Sequence, residues 1–535
     1  MSQDARFDQE ITTQKRARLL GFDYVDTTQI NPKSLFSDLL SNQEMSDMRV
    51  VPLEFQKSFI RFGITNNTSQ STMSMLRQRF SDYRLSFSLI SDAGFNEYMR
   101  LYNPPKQVIY QDISLHEAGS AGLVQQISGL LDQVRADDML AYLVAQAHRL
   151  NASDIHLETQ ADVVRIRFRI DGVLHTIARL TFDKYRILVA AIASGGDIST
   201  ASNQAQQGHI AQKVTMADHQ IVNVNVRLET VPTVNGMDIV MRLFNMDQDR
   251  FTLDRLGLSE AERHELDGII SKPSGLVMIV GPTGAGKTTT LYSILNSLNN
   301  DERKIVTIED PVEYQFKGVT QVPVQSSESG TDSEFANKLR AVLRLDPDIV
   351  MVGEVRDDDT AHTALQAALT GHLVLTSFHA ADAASALTRL SGIIGHNPLF
   401  ISAIRLIMAQ RLVRRLDDAS KEAYEPSEAE RQIIFSVLDS LPVGMPRPNL
   451  ENFQLFRPKQ SSDNPYGFRG QLAIREQLMM TGQVRSVLED RQNVITNDRL
   501  AAAAVSGGMV TILQDAILKV LTGQTTLSEV FRVLG

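Results

Sequence analysis

Residues Gly281 to Thr288 read Gly-Pro-Thr-Gly-Ala-Gly-Lys-Thr, directly after the apolar run Leu276–Val280 and directly before the helix-forming stretch Thr289–Leu298. A chain with Gly-x-x-x-x-Gly-Lys-Thr in that setting has few ways to fold. The strand must be buried and parallel, and its exit turn must open onto a helix N-terminus. Glycines let the backbone curl so that successive N–H groups converge on phosphate oxygens, and the helix dipole favours the negative charge placed there. Lys287 is then expected to neutralise the β- and γ-phosphates and Thr288 to ligate Mg2+, with Gly281, Pro282, Thr283, Gly284, Ala285, Gly286 and Thr289 completing the cradle. A glycine-rich turn without a ligand is the alternative for the bare pattern, and the flanking strand and helix argue against it.

The surroundings support an α/β reading. Short β-branched runs at Val277–Val280, Ile305–Ile308, Ile349–Val352 and Leu373–Thr376 are separated by helical segments, as a parallel sheet requires, and define a core over 251–400. Upstream, Met139, Leu140, Leu143, Val144 and Ala147 recur at helical spacing. Val164–Ile170 then alternates apolar residues with Arg165, Arg167 and Arg169 and ends on Asp171-Gly172, a hairpin turn. Alternation at Ile221–Leu228 and a strand at Asp238–Leu243 complete an α+β unit over 121–250. Pro104, Pro105 and Gly119 break any pattern over 101–120, a linker that leaves 1–100 as a separate N-terminal domain. From Ile401 to the end, 401–535, the chain reads as helical subdomains.

Composition removes whole classes of chemistry. Among 535 residues there is no cysteine, so disulfides, thiolate-held clusters, cysteine nucleophiles and Cys-ligated zinc are excluded. The 53 Lys+Arg against 63 Asp+Glu leave a net charge of −10, which argues against generic nucleic-acid binding. The charged N-terminus has no apolar signal segment, and no apolar run is long enough to span a bilayer. A soluble protein, attached to membranes at most peripherally, is expected; the lack of cysteine fits a reducing cytosol, and oxidation-free folding elsewhere is the alternative.

Other segments carry candidate chemistry. Thr307–Tyr314 sets Glu309, Asp310 and Glu313 at the carboxyl end of a strand, where α/β sheets place ligands; a solvated turn broken at Pro311 is the alternative. Asp346–Asp357 is an apolar strand ending on Gly353-Glu354, a carboxylate able to reach a metal or polarise a water. Thr370–His379 brackets a strand with His372 and His379. A histidine alone is as often structural, and neither has the spacing of a metal ligand.

Taken in order, these segments resemble the Walker A loop, Asp box, Walker B strand and His box of the secretion ATPases of type II secretion and type IV pilus assembly. The resemblance extends through Asn151–Glu158, Arg165–Leu174, Val226-Arg227 to Arg242, Ala409-Gln410-Arg411-Leu412 and Gln524–Val533, about 120–535 in all. It implies a RecA-like P-loop NTPase core preceded by an α+β, PAS-like N2 domain, assembled as a cytoplasmic hexamer that hydrolyses ATP with Mg2+. It also implies roles. Glu354 positions the attacking water; Glu309, Asp310 and Glu313 supply the Asp-box carboxylates; Thr288, Asp310 and Glu354 lie nearest the metal; His372 and His379 sense the γ-phosphate. Arg165, Arg227, Arg242, Arg340 and Arg344 are candidates for bringing positive charge to the transferred group. A solvated strand face is the alternative for Arg165 and its neighbours.

Two departures from the family stand out. Where a tetracysteine zinc module is usual, this chain has Leu416–Lys421 and Arg457–Gly470, so the module is expected to hold its shape without metal. Where a basic segment is usual, it has Thr200–His209, which shifts weight onto Arg165, Arg227 and Arg242. The implied function is a motor for assembly of a pilus or secretion pseudopilus. Its partner would be an inner-membrane platform protein or cytoplasmic adaptor, engaged through the N-terminal region. A retraction ATPase, a DNA translocase and a non-hydrolysing scaffold are the alternatives.

Overall fold

Gly275–Val280, Ile305–Glu309, Ile349–Val352 and Leu373–Phe378 bury every one of their residues, as strands covered on both faces must. In the computed structural model they form the middle of a seven-stranded sheet. Its order, by first residue, is Val319, Ile305, Ile349, Leu373, Gly275, Ile404, Phe468, and every neighbouring pair is parallel except the last. Alternate side chains feed two layers. Val277 and Ile279 pack with Leu291, Ile294 and Leu295 of helix Lys287–Leu298. Leu276, Met278 and Val280 join Leu365 of helix Asp358–Leu369 and Leu387 of helix Ala383–Ile394 on the other side.

The structure describes residues 3–30, 32–102, 113, 121–135, 138–215, 221–244, 251–324, 334–395, 397–461, 464, 466–490 and 492–535. Most of the expected linker, 103–112 and 114–120, lies outside them. Two units separate at Tyr110/Gln111. The first is a four-stranded sheet, ordered Asp23–Tyr24, Arg84–Leu89, Phe59–Ile64, Val50–Gln56, packed with helices that include Gln3–Leu20 and Asp92–Tyr102. Its core gathers Leu40, Met45, Ile60, Phe62, Leu76 and Phe95. No helix among the described residues is long and apolar enough to cross a membrane.

Within the second unit, 121–244 builds an antiparallel six-stranded sheet with helices Ala121–Gln133, Met139–Arg149 and Phe182–Gly196. Val164, Ile166 and Phe168 are fully buried while the arginines between them stay half-exposed, the period-two pattern expected from the sequence.

The helical reading of 401–535 is corrected. Ile404–Leu416 is a strand, paired parallel with the P-loop strand and antiparallel with Phe468–Met479. Its Leu, Met, Ala, Gln and Arg residues are good helix formers, but burial between two partner strands overrides that local preference. The remainder is mainly helical, from Glu428–Asp439 to Leu527–Leu534. Where zinc would be expected in the family, a polar clasp closes the loop. Asn464 Nδ2 donates to Asp417 Oδ2 and to the Phe468 carbonyl, both at 2.9 Å, and its Oδ1 accepts from the Tyr466 and Gly467 amides at 3.2 and 3.1 Å. Beneath it, Val413, Ile434, Leu438, Leu455 and Ile517 form an apolar cluster.

The hairpin tip Asp171-Gly172, with φ of +48° and +78°, reaches this loop. Asp171 Oδ2 accepts from the Gly470 amide at 3.0 Å, and the His175 ring lies 4.1 Å from that of Tyr466. Burial, reinforced by Arg414, pushes the His175 pKa down to about 4. A depressed histidine stabilises the fold fully above its ordinary value of 6.5 and loses that contribution as pH falls from 6.5 toward 4. His175→Gln is therefore expected to flatten the decline of melting temperature across that window. Thermal melts of both proteins check this; parallel slopes contradict it.

Candidate nucleotide site

The P-loop strand ends at Val280, and Gly281, Gly284 and Gly286 then take φ of +155°, +77° and +81°, values that side-chain-bearing residues rarely adopt. At Gly281 the reason is also steric. A Cβ there would lie 2.7 Å from the Gln410 carbonyl oxygen and 2.9 Å from Ala285 Cβ. Gly286 caps the helix that begins at Lys287, so Lys287, Thr288 and Thr289 form its first turn. Among the described residues the Thr283, Gly284 and Gly286 amides have no acceptor, which leaves them free to receive an anion. Lys287 Nζ donates to the Gly281 and Pro282 carbonyls at 2.8 and 3.1 Å and forms no ion pair among the described residues. Its pKa is lowered, first by burial and then by Arg411, against the pull of Glu354. A half-buried cation held only by neutral carbonyls fits a phosphate.

Glu354 leaves the carboxyl end of Ile349–Val352, and Ser377 and Ile308 fix its approach. Ser377 Oγ donates to the Gly353 carbonyl at 2.6 Å, and the Gly353 amide donates to the Ile308 carbonyl at 2.8 Å. His379 Nε2 lies 2.8 Å from Glu354 Oε1, and Arg356 Nε donates to Glu354 Oε2 at 2.9 Å. Arg356 also approaches Asp310 at 3.7 Å, which ties the Walker B end to the Asp box.

Within that box the three carboxylates differ. Glu309 is 3% exposed, and its oxygens accept from Tyr292, from Thr307 at 2.5 Å and from Gln321 at 3.0 Å. It anchors the turn from inside. Glu313 is exposed on the turn; crowding by the surrounding protein and then Glu309 raise its pKa, while Arg242 and Arg227 pull it back. Two arginines of the 121–244 sheet thus lie close enough for their charge to be felt at Glu313. Arg242 also donates to Asp154 Oδ1 at 2.9 Å, and Arg227 to Gln207 at 3.1 Å.

Other expected site residues are not brought here. His372 sits at the amino end of Leu373–Phe378, its Nδ1 3.0 Å from the Ala367 carbonyl. That is a strand's length, about 20 Å, from the edge that carries the P-loop, because parallel strands present one end to the ligand. The expected role of His372 at the γ-phosphate is thus corrected within one chain. Arg165 pairs with Glu158 at 2.7 Å on the adjacent strand. Arg340 pairs with Asp359, and Arg344 is exposed in the turn Leu343–Leu345 without an ion pair among the described residues.

One site residue carried no assigned role in the sequence. Gln410, 1% exposed, donates from Nε2 to the Ala285 carbonyl at 2.6 Å, and its Oε1 accepts from Thr290 at 2.9 Å. An amide directly after the apolar stretch Leu406–Ala409 was the available signal, since a buried polar side chain must find partners.

A parallel sheet with a phosphate loop at its carboxyl edge, a strand-ending Glu354 and an adjacent acidic turn defines a P-loop NTPase of the RecA-like type. Residues 132–532 match the model of the type II/IV secretion system protein family. The chain belongs to that family of secretion ATPases. It is 36% identical to type II secretion system protein E of Pseudomonas aeruginosa over 85% of this chain and 88% of that one. With the type II secretion system ATPase E of Vibrio cholerae the identity is 32%, over 86% and 89%. The fold also matches the ATPase DotB of Yersinia pseudotuberculosis (TM-score 0.54, 20% identity, 80% and 99% covered) and that of Legionella pneumophila (0.53, 22%, 74% and 95%).

Gln410→Leu keeps the volume but strands a buried carbonyl and a buried hydroxyl. Affinity for a fluorescent ADP analogue is expected to fall about tenfold, read by titration; unchanged affinity contradicts the assignment.

Proposed function

We propose that the protein is a motor that hydrolyses ATP, as a ring hexamer on the cytoplasmic side of the inner membrane, to drive assembly of a type II secretion pseudopilus. The observation that carries this reading is the Glu354–His379 pair at 2.8 Å, at the sheet edge that also carries Lys287. Such a carboxylate can accept the proton of an attacking water, and His379, fixed to it, can respond to the terminal phosphate. In this reading Lys287 leaves its carbonyls for the β- and γ-phosphate oxygens, and the free loop amides hold the same oxygens. Thr288, Asp310 and Glu354 are the residues suited to hold magnesium, which when bound neutralises phosphate charge. Arg227 and Arg242, whose charge is felt at Glu313, are the arginines that this reading assigns to bring positive charge toward the Asp-box side of the nucleotide.

The relatives named type II secretion system protein E support secretion over a pilus as the machine served. Pilus assembly is the second reading, because the same motifs serve both. The N-terminal unit, which carries none of these groups, is the proposed attachment point for a membrane-platform partner or adaptor.

Glu354→Gln is expected to lower steady-state ATPase activity by ~10²-fold or more while nucleotide binding persists. Phosphate release and ADP titration on the assembled protein check this; wild-type turnover would contradict the role.

A further inference from the structure

Glu476 lies in Phe468–Met479, opposite Ala409 and one residue from the position facing Gln410. It is 5% exposed, and both its oxygens serve helix N-termini. Oε1 accepts from the Ala383 amide at 2.7 Å and Oε2 from the Ile512 amide at 3.0 Å, each residue the first of its helix. A carboxylate is the fitting group for that place, because two orphan amides and two positive dipole ends meet there. Burial raises its pKa against the pull of those amides and of Arg411. The two helices belong to different parts of the unit. Ala383–Ile394 begins four residues after His379, whereas Ile512–Leu521 packs in the C-terminal apolar cluster with Ile434 and Leu438.

The turn between His379 and Ala383 has little freedom of its own. Arg411 Nη2 donates to the Ala381 carbonyl at 2.5 Å, Asp382 caps the helix through the Ser385 amide at 2.6 Å, and Arg389 Nη1 reaches the His379 carbonyl at 3.5 Å. The helix start and His379 thus belong to one short restrained segment, which the 2.8 Å contact joins to Glu354.

We infer that Glu476 is a positioning residue whose carboxylate joins the C-terminal helices to the His379 turn, so that the C-terminal module sets the geometry of the water-activating pair. This deepens the ATPase reading and rests on it. Neither oxygen of Glu476 is spent on a group that would touch nucleotide; its action runs through main-chain amides alone.

Two substitutions separate the joint from simple folding. Glu476→Gln keeps the shape but turns one acceptor into a donor facing an amide. Ile512→Pro removes the module-side donor, at a first helical position where proline is tolerated and after a Thr511 already in the extended conformation that precedes proline; the packing of Ile512 on the C-terminal cluster is lost with it, and Ile512→Ala, which keeps the amide, is the control for that loss. Glu476→Gln and Ile512→Pro are each expected to lower kcat about tenfold with affinity for an ADP analogue kept within about twofold. Combined with His379→Ala, each is expected to cost little beyond His379→Ala alone, because both act through the same ring. Losses that multiply, or losses that fall on ADP affinity rather than kcat, would overturn the proposal. If wild-type protein turns over ATP and His379→Ala leaves the rate intact, the reading of His379 fails instead, and the two failures are told apart. Thermal melts of all variants identify any that do not fold, and for Glu476→Gln in that event Ile512→Pro carries the test.

Discussion

A loop that presents its amides to a ligand cannot use them to hold itself in shape. Among the described residues the P-loop leaves Thr283, Gly284 and Gly286 without acceptors, so its conformation has to be imposed from behind. Ile404–Leu416 imposes it. That strand lies beside the P-loop strand, sets its Gln410 carbonyl where only a glycine fits at 281, and holds Ala285 and Thr290 with one buried amide. Arg411, the next residue, bonds the Gln410 carbonyl at 2.9 Å and the Ala381 carbonyl at 2.5 Å. Two adjacent side chains of one strand thus fix both the phosphate loop and the turn that carries His379.

Seen from the sheet, the site is a consequence of parallel order. Strands that start together end together, so the P-loop, Glu354, the Asp box and His379 all emerge along one edge. The same rule removes His372, which lies at the opposite end of its strand. Electrostatics then sorts the groups that remain. Glu309 is spent on Tyr292, Thr307 and Gln321 inside the core, whereas Glu313 is exposed and feels the charge of Arg227 and Arg242. The exposed pair Arg340–Asp359 adds little to stability, since surface ion pairs of this kind contribute at most about 1 kcal/mol.

Much of this was legible in the residues themselves. The P-loop, the four buried strands around it and the alternation of Val164–Ile170 follow from local pattern, because glycine spacing and period-two burial are local properties. The strand at Ile404–Leu416 was not legible, because its composition favours a helix and only the neighbouring strand makes it extended. Gln410 and Glu476 were hidden for a related reason. Their meaning lies in partners more than 90 residues away in the chain, Ala285 and Thr290 for one, Ala383 for the other. The absence of cysteine showed that no thiolate closes the C-terminal loop, but not that Asn464 and Asp417 do so.

Binding and cleavage of a nucleoside triphosphate at this sheet edge, through Lys287, is the proposal on which the functional reading rests. Its most direct test is steady-state phosphate release from ATP by the full chain, with and without magnesium, beside Lys287→Ala. Magnesium-dependent turnover is expected, and it is expected to disappear in the variant along with nucleotide binding; turnover that survives Lys287→Ala would rule this role out.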